Sequence, residues 1–188
     1  IASNNELIEI DISAYHPTLA GQLVGYEFNN SDIHSEFAAL YNVDYKTAKE
    51  LTFKQFNGGV FKEYQHLEFF QKIQTYVQEQ WKLFNEQGFI SAPISGYMFK
   101  KDSLENMNPQ KLFNYIIQNK ETSNNVKIIK SILDYLKNKK TKLVLYTYDA
   151  FLFDYSKEDG QILQDIINII KYPVNIKQGK TYHGLTKI

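Results

Sequence analysis

Apolar residues recur along this chain at two different periods, and the alternation between them divides it into elements. Leu7, Ile8 and Ile10 form a short apolar run, read as a strand that stops at Asp11. Pro17 suits the first turn of a helix reaching Val24, where a missing N–H costs nothing. Residues 29–32 read as a turn with its own Ser and Asp caps, followed by a helix over 33–41. Asp44 can cap a further helix from Tyr45 into Phe56, stopped by Gly58 and Gly59 in a left-handed conformation. Tyr64, Leu67, Phe70, Ile73, Val77, Trp81 and Phe84 recur every three or four residues. That stripe predicts an amphipathic helix of about 25 residues ending near Gly88.

The second half mixes the two periods. Residues 89–110, with Pro93, Gly96 and Pro109, read as loop or hairpin, and 111–136 as a helix interrupted around 123–125. Residues 143–147 and 151–155 read as strands joined by a two-residue turn at Tyr148 and Asp149. A helix over 161–171 and a strand over 173–178 follow. Without βαβ regularity this is an α+β fold, an antiparallel sheet carrying helices.

Composition narrows the classes. The 188 residues suffice for one sizeable core with a lobed insertion, and 43% hydrophobic content excludes disorder. No apolar run approaches the roughly 18 residues of a membrane span. Cysteine is absent, which removes thiolate chemistry and disulfides. All 21 basic residues are Lys, so no guanidinium fork is available and anions fall to ammonium charges, amides and helix N-termini. The missing Arg reads as coding bias. Charge clusters at Lys46, Lys49 and Lys54, and again at Lys137, Lys139, Lys140 and Lys142, a run best read as a solvated turn. Lacking an initiator Met and a signal pattern, with Ile1 close to a core strand, the chain reads as an excised piece of a longer one.

Two acidic residues stand where strands end or turn, Asp11 and Asp149. Either alone is an ordinary turn residue. Together, on one sheet, they offer the carboxylate pair that Mg²⁺ ions need beside phosphate oxygens. Between them, Lys49, Phe53 and Asn57 are spaced four apart and share one helical face. Such a face can meet a triphosphate with the Lys and a sugar with the Phe. A solvated Lys beside a core Phe has the same spacing. His34 and His66 have no second His at i+4 and read as capping or packing residues; Trp81 reads as core.

Taken in order, these segments resemble the palm and fingers of family A DNA polymerases, the bacterial DNA polymerase I class. The family's first motif, a strand and then D-Y-S-x-I-E, matches Asp11 and Ser13. Its D-I-H resembles Asp32-Ile33-His34. Its second motif, R-x3-K-x3-[FY]-x3-Y-G, is met by Tyr45, Lys49, Phe53, Asn57 and Gly58. Its N-x-P-I-Q resembles Asn114 to Gln118, and its H-D-E turn resembles Tyr148-Asp149-Ala150. The closing Pro173-Val174 and Gly179 to Tyr182 resemble the family's ending.

The resemblance implies an antiparallel palm sheet carrying the catalytic aspartates, with a helical fingers insertion: palm over 1–30, fingers over 31–90, palm again over 91–188. A thumb and any 3′–5′ exonuclease would lie before Ile1. It implies DNA-directed DNA synthesis, a nucleotidyl transfer from dNTP to a primer 3′-hydroxyl, as in a replicative or repair enzyme of a bacterium or phage. Two Mg²⁺ would be held by Asp11, Asp149 and the Ile12 carbonyl, with Lys49 stabilising the leaving phosphates. His16, Tyr45, Lys46, Lys49, Phe53 and Asn57 would meet the nucleotide, and Asn114, Gln118 and Tyr148 the primer–template. The implied compartment is the cytoplasm of a bacterium or a phage-infected host. The departures fall on named positions: Tyr45 replaces an Arg, Asn57 a Tyr, and His16 the Glu that excludes a ribose 2′-hydroxyl. Because an imidazole can hydrogen-bond that hydroxyl, imperfect sugar discrimination is expected. Two alternatives stay open, a degenerate non-catalytic DNA-binding module and a single-subunit RNA polymerase-like enzyme.

Overall fold

β-Branched and aromatic residues in alternation form the strands, and the computed structural model describes them within residues 3–4, 6–30 and 32–188. The reading of Ile1 and the cap at Ser31 lie outside the described residues. In chain order the elements are β1 (Leu7–Ile12), α1 (Tyr15–Val24), α2 (Ile33–Tyr41), α3 (Tyr45–Gly58), α4 (Glu68–Gln87), β2 (Phe89–Ser91) and β3 (Met98–Lys100). There follow α5 (Pro109–Tyr135), β4 (Lys142–Thr147), β5 (Ala150–Asp154), α6 (Ile162–Ile170), β6 (Val174–Gly179) and β7 (Thr186–Lys187). The α+β class holds.

The chain forms two compact units, one of residues up to Tyr15 together with Asn124–Ile188, the other His16–Ser123. The first is built on a five-stranded antiparallel sheet in the order β4-β5-β1-β6-β7. β1 is its centre, hydrogen-bonded to β5 on one side and β6 on the other. Alternation along β1 sends Ile8, Ile10 and Ile12 to one face, all nearly inaccessible, and Glu9 and Asp11 to the other. Phe151 and Phe153 of β5 and the i, i+4 row Ile162, Ile166 and Ile170 of α6 are equally buried.

The second unit packs α1 to α4, the β2–β3 hairpin and the first part of α5. Its centre is aromatic: Phe37 meets Phe69 edge-on at 5.3 Å and stacks on Tyr41 at 5.4 Å. Tyr41 hydroxyl, buried, shares a 3.1 Å hydrogen bond with Thr52 and accepts another from Gln55, which fastens α2 to α3. A second cluster joins Phe84, Ile90, Phe99, Leu112 and Ile116, with Trp81 partly buried against it.

Several boundaries differ from the sequence reading. β1 continues through Asp11 to Ile12, because Asp11 is paired on both sides, with Ala150 and with Asn175. The long amphipathic stripe starts its helix at Glu68, since Tyr64 lies in a 3₁₀ turn over Lys62–Tyr64 whose carbonyl takes the Leu67 N–H at 3.1 Å. α5 runs without a break through 123–125: Ser123 hydroxyl bonds the Asn119 carbonyl at 2.7 Å, so it does not compete for the helix. Gly59 has positive φ, +94°, but ψ of 159° places it outside the left-handed helical region. The turn before β4 is solvent-exposed, as read, and its Lys137 and Lys140 pair on the surface with Asp134 at 2.8 Å and Glu158 at 2.5 Å.

Candidate active site

The central strand and its neighbour bring the two aspartates to one place in the backbone. The Ile12 N–H donates to the Asp149 carbonyl at 2.9 Å, and Asp11 faces Ala150 across the ladder. Opposed Cα atoms in such a ladder lie roughly 4.5–5.5 Å apart. The two carboxylates therefore leave neighbouring points of one sheet, Asp11 within β1 and Asp149 in the turn between β4 and β5. That turn is sharp, with Tyr148 at φ +52° and its side chain 83% exposed. Ala14, three residues past Asp11, also has positive φ, +47°, which reverses the chain into α1.

Asn125 of α5 was missed by the sequence reading, which saw only a helix breaker. Its buried amide donates to the Tyr148 carbonyl and to the Tyr146 hydroxyl, each at 2.8 Å. Its oxygen accepts from the Tyr15 hydroxyl at 3.0 Å. One side chain thus holds the residue before Asp149 and the residue four beyond Asp11. On the Asp11 face of the sheet, Lys177 of β6 lies opposite Glu9 and bonds it at 2.6 Å. Bonding to Glu9 pushes the Lys177 ammonium up from its ordinary value, and the Asp11 charge adds to that shift.

In the other unit, α3 buries Ala48, Thr52, Gln55 and Phe56 and exposes Tyr45, Lys46, Lys49, Phe53 and Asn57. The core Phe of this helix is Phe56; Phe53 is 68% exposed. Asn57 donates to the Phe53 carbonyl at 2.9 Å, so its amide serves the helix end. Burial, the Asp32 charge and a hydrogen bond to Asp32 push the Tyr45 phenol up. His34 packs its ring edge on Tyr45 at 5.8 Å, and among the described residues its buried Nδ1 has no hydrogen-bond partner. Burial lowers the His34 pKa, the Lys49 ammonium lowers it further, and Asp32 opposes both. The Lys49 charge therefore acts at the buried His34 ring.

α5 carries Asn114, Gln118 and Glu121 at spacings of four and three, one face of the helix. Asn114 is half-buried and Gln118 exposed. Glu121 is buried at 8% exposure and takes a 2.7 Å hydrogen bond from Nε2 of His16, on α1. The pair joins residues 105 positions apart, and no local pattern announces it.

The donor set at Asp11 and Asp149 suits magnesium. Hard carboxylate oxygens are present, and Mg²⁺ takes one or two of them while keeping water and substrate phosphate oxygens. Among the described residues no group of three or more His, Cys, Asp or Glu forms a metal cage. Carboxylates shared with a phosphate ligand fit the ion better than a site built from protein alone. Among the described residues no helix is long and apolar enough to cross a membrane.

A five-stranded antiparallel sheet, with Asp11 on its central strand and Asp149 in the β4–β5 turn, and a separate helical unit make up a fold that has counterparts among solved structures. Among solved structures, the chain is similar to the POL domain of Pol1 from M. smegmatis in complex with DNA primer-template and dNTP. The TM-score is 0.72 over 94% of this chain, at 15% sequence identity. This chain spans 40% of that one. No protein-family model matches the sequence, and no curated protein does.

Proposed function

We propose that this chain is the palm and fingers portion of a family A-type DNA polymerase, transferring a nucleotidyl group from dNTP to a primer 3′-hydroxyl. The observation that carries this reading is the Asp149 carbonyl on the Ile12 N–H at 2.9 Å, which makes Asp11 and Asp149 neighbours on the sheet. In this reading Asp11, Asp149 and the Ile12 carbonyl hold two Mg²⁺. When bound, these ions acidify the primer hydroxyl and offset charge on the triphosphate. Lys49 neutralises the departing phosphates and offers a proton to the pyrophosphate. An exposed Phe on a helix otherwise buried through Phe56 is suited to stack on the nucleotide. Lys46 adds charge beside it, while Tyr45, tied to Asp32, and Asn57, tied to its own helix, border the same face.

In this reading Asn114 and Gln118 meet primer–template through base acceptors that every pair presents, and Tyr148 contacts the DNA as well. Palm over 1–30 and 91–188 and fingers over 31–90 are the corresponding functional division. Work of this kind belongs in the cytoplasm of a bacterium or phage-infected cell. Asp11→Asn and Asp149→Asn test the reading: each is expected to abolish primer extension and to weaken Mn²⁺ binding seen by electron paramagnetic resonance. Full activity in either variant would overturn it. The engagement of Tyr45 and Asn57 within the protein favours a second reading, a non-catalytic DNA-binding module. In that case DNA binding survives both substitutions and wild-type extension is absent.

A further inference from the structure

Both peptide groups that flank the Asp149 side chain are held from outside their turn. The Tyr148 carbonyl accepts from the Asn125 amide at 2.8 Å, and the Asp149 carbonyl accepts from the Ile12 N–H at 2.9 Å. With both peptide planes fixed, the freedom left to the carboxylate is rotation about its own side-chain bonds. Tyr148 has φ of +52°, which an L residue with a side chain adopts at a cost. Its side chain is largely exposed, so burial does not offset that cost; the hydrogen bond to its carbonyl does. Asn125 itself stands where α5 would take an apolar residue. It is fully buried, on the stripe that continues with Ile128 and Ile132, and Asn is a weak helix former. The amide is tolerated there because both of its N–H groups and its oxygen are used, by Tyr146, Tyr148 and Tyr15. Tyr15 is fixed in turn: its ring meets Tyr172 edge-on at 4.9 Å, and the Tyr172 hydroxyl accepts from Asn124 at 3.1 Å.

We propose that Asn125 is a positioning residue for divalent-metal binding: it sets the affinity of the Asp11 and Asp149 pair by holding the backbone beside each of them. This rests on the reading in which those two carboxylates hold Mg²⁺. The device is complete within the unit that carries the sheet, since Tyr15, Asn125, Tyr146 and Tyr148 all belong to it with the two aspartates. Asp11 is fixed by the ladder on both sides, so the turn is the part that needs an anchor. A carboxylate on a held turn loses less freedom when an ion binds than one on a turn that moves. Hydrogen bonds behind metal ligands are typically worth about 10–100-fold in metal affinity, and one that acts through the backbone belongs at the low end of that range.

The test titrates the full chain with Mn²⁺, read by electron paramagnetic resonance, and follows backbone amide exchange by NMR without metal. Asn125→Leu removes all three bonds at similar volume, and Asn125→Ala is read in its place if the Leu variant does not fold. Tyr146→Phe removes one bond and leaves that to Tyr148. Ile132→Val, buried in the same helix, controls for lost stability alone. The expected result is a Mn²⁺ dissociation constant about tenfold higher in Asn125→Leu and within about twofold of wild type in Tyr146→Phe and Ile132→Val. The Ile12 amide, which reports the bond to the Asp149 carbonyl, exchanges faster in Asn125→Leu by more than the Ile10 amide of the same strand does. Wild-type affinity in Asn125→Leu, or an equal loss in Ile132→Val, would overturn the role of Asn125; the metal reading survives if Asp149→Asn still weakens Mn²⁺ binding. Mn²⁺ binding that Asp149→Asn leaves unchanged, or none in wild type, would overturn the metal reading and the inference with it.

Discussion

Asn125 donates a 2.8 Å hydrogen bond to the carbonyl of Tyr148, the residue immediately before Asp149. A carboxylate proposed to hold a metal from a two-residue turn needs such an anchor, because an exposed turn fluctuates more than the strands it joins. The same amide reaches the Tyr15 hydroxyl at 3.0 Å. The orientation of both aspartate segments is therefore set by one buried side chain on α5.

Replacing Asn125 with Leu keeps the volume and removes three hydrogen bonds. The buried Tyr15 hydroxyl, the hydroxyl of the exposed Tyr146 and a carbonyl each lose a hydrogen bond, so unfolding free energy is expected to drop by about 1–3 kcal/mol. Urea denaturation followed by circular dichroism measures it. Stability within 0.5 kcal/mol of wild type would show that water replaces the amide.

Lys49→Ala is expected to slow nucleotide incorporation by about 10²–10³-fold, the scale of a lost charge at a leaving group. An independent readout is available at His34, whose pKa Lys49 lowers. In Lys49→Ala the His34 pKa rises but stays below its ordinary value of 6.5, because burial is the larger cause. Proton NMR titration separates the two effects.

Phe53 is 68% exposed, so Phe53→Ala is expected to change folding stability by less than about 0.5 kcal/mol. Nucleotide binding on primer–template should weaken by roughly 1 kcal/mol or more, the scale of aromatic stacking on a base. Phe56→Ala, in the core of the same helix, should instead destabilise by about 3–5 kcal/mol. Equal effects of the two substitutions on stability would contradict the assignment of faces.

His34 makes stability depend on pH. Its folded pKa is depressed below 6.5, so between the two values the unfolded chain binds more protons. Its contribution is complete above 6.5 and is lost as pH falls through that value toward the folded one. The urea midpoint should drop on acidification from pH 7 toward 5, and drop less in His34→Leu. An identical pH dependence in the two proteins would show that His34 opens to solvent before it titrates.

Local chemistry made much of this protein legible in the sequence. Asp44 and Asp32, each accepting from two backbone N–H groups, marked the starts of α3 and α2. Two apolar runs around Tyr148 and Asp149 marked a hairpin, since that pairing needs only neighbours in the chain. The same locality explains why Asp149 was placed correctly at a turn and Asp11 wrongly at a strand end. How far β1 extends depends on β5 and β6, which arrive more than a hundred residues later and pair Asp11 on both sides.

Periodicity also gave the Lys49–Phe53–Asn57 row on one helical face, but it could not say which face would be covered. The packing of Phe56 rather than Phe53 decided that, because burial is a property of neighbouring elements. His16 read as an imidazole able to hydrogen-bond a 2′-hydroxyl, Asn125 as part of a helix interruption, and Glu121 was not singled out. Only the tertiary structure brought Glu121 to His16 at 2.7 Å and Asn125 to Tyr148 at 2.8 Å. Sequence spacing specifies hydrogen bonds along a helix or across a tight turn; partners drawn from distant elements are chosen by the packing that buries them, where an unpaired polar group costs most.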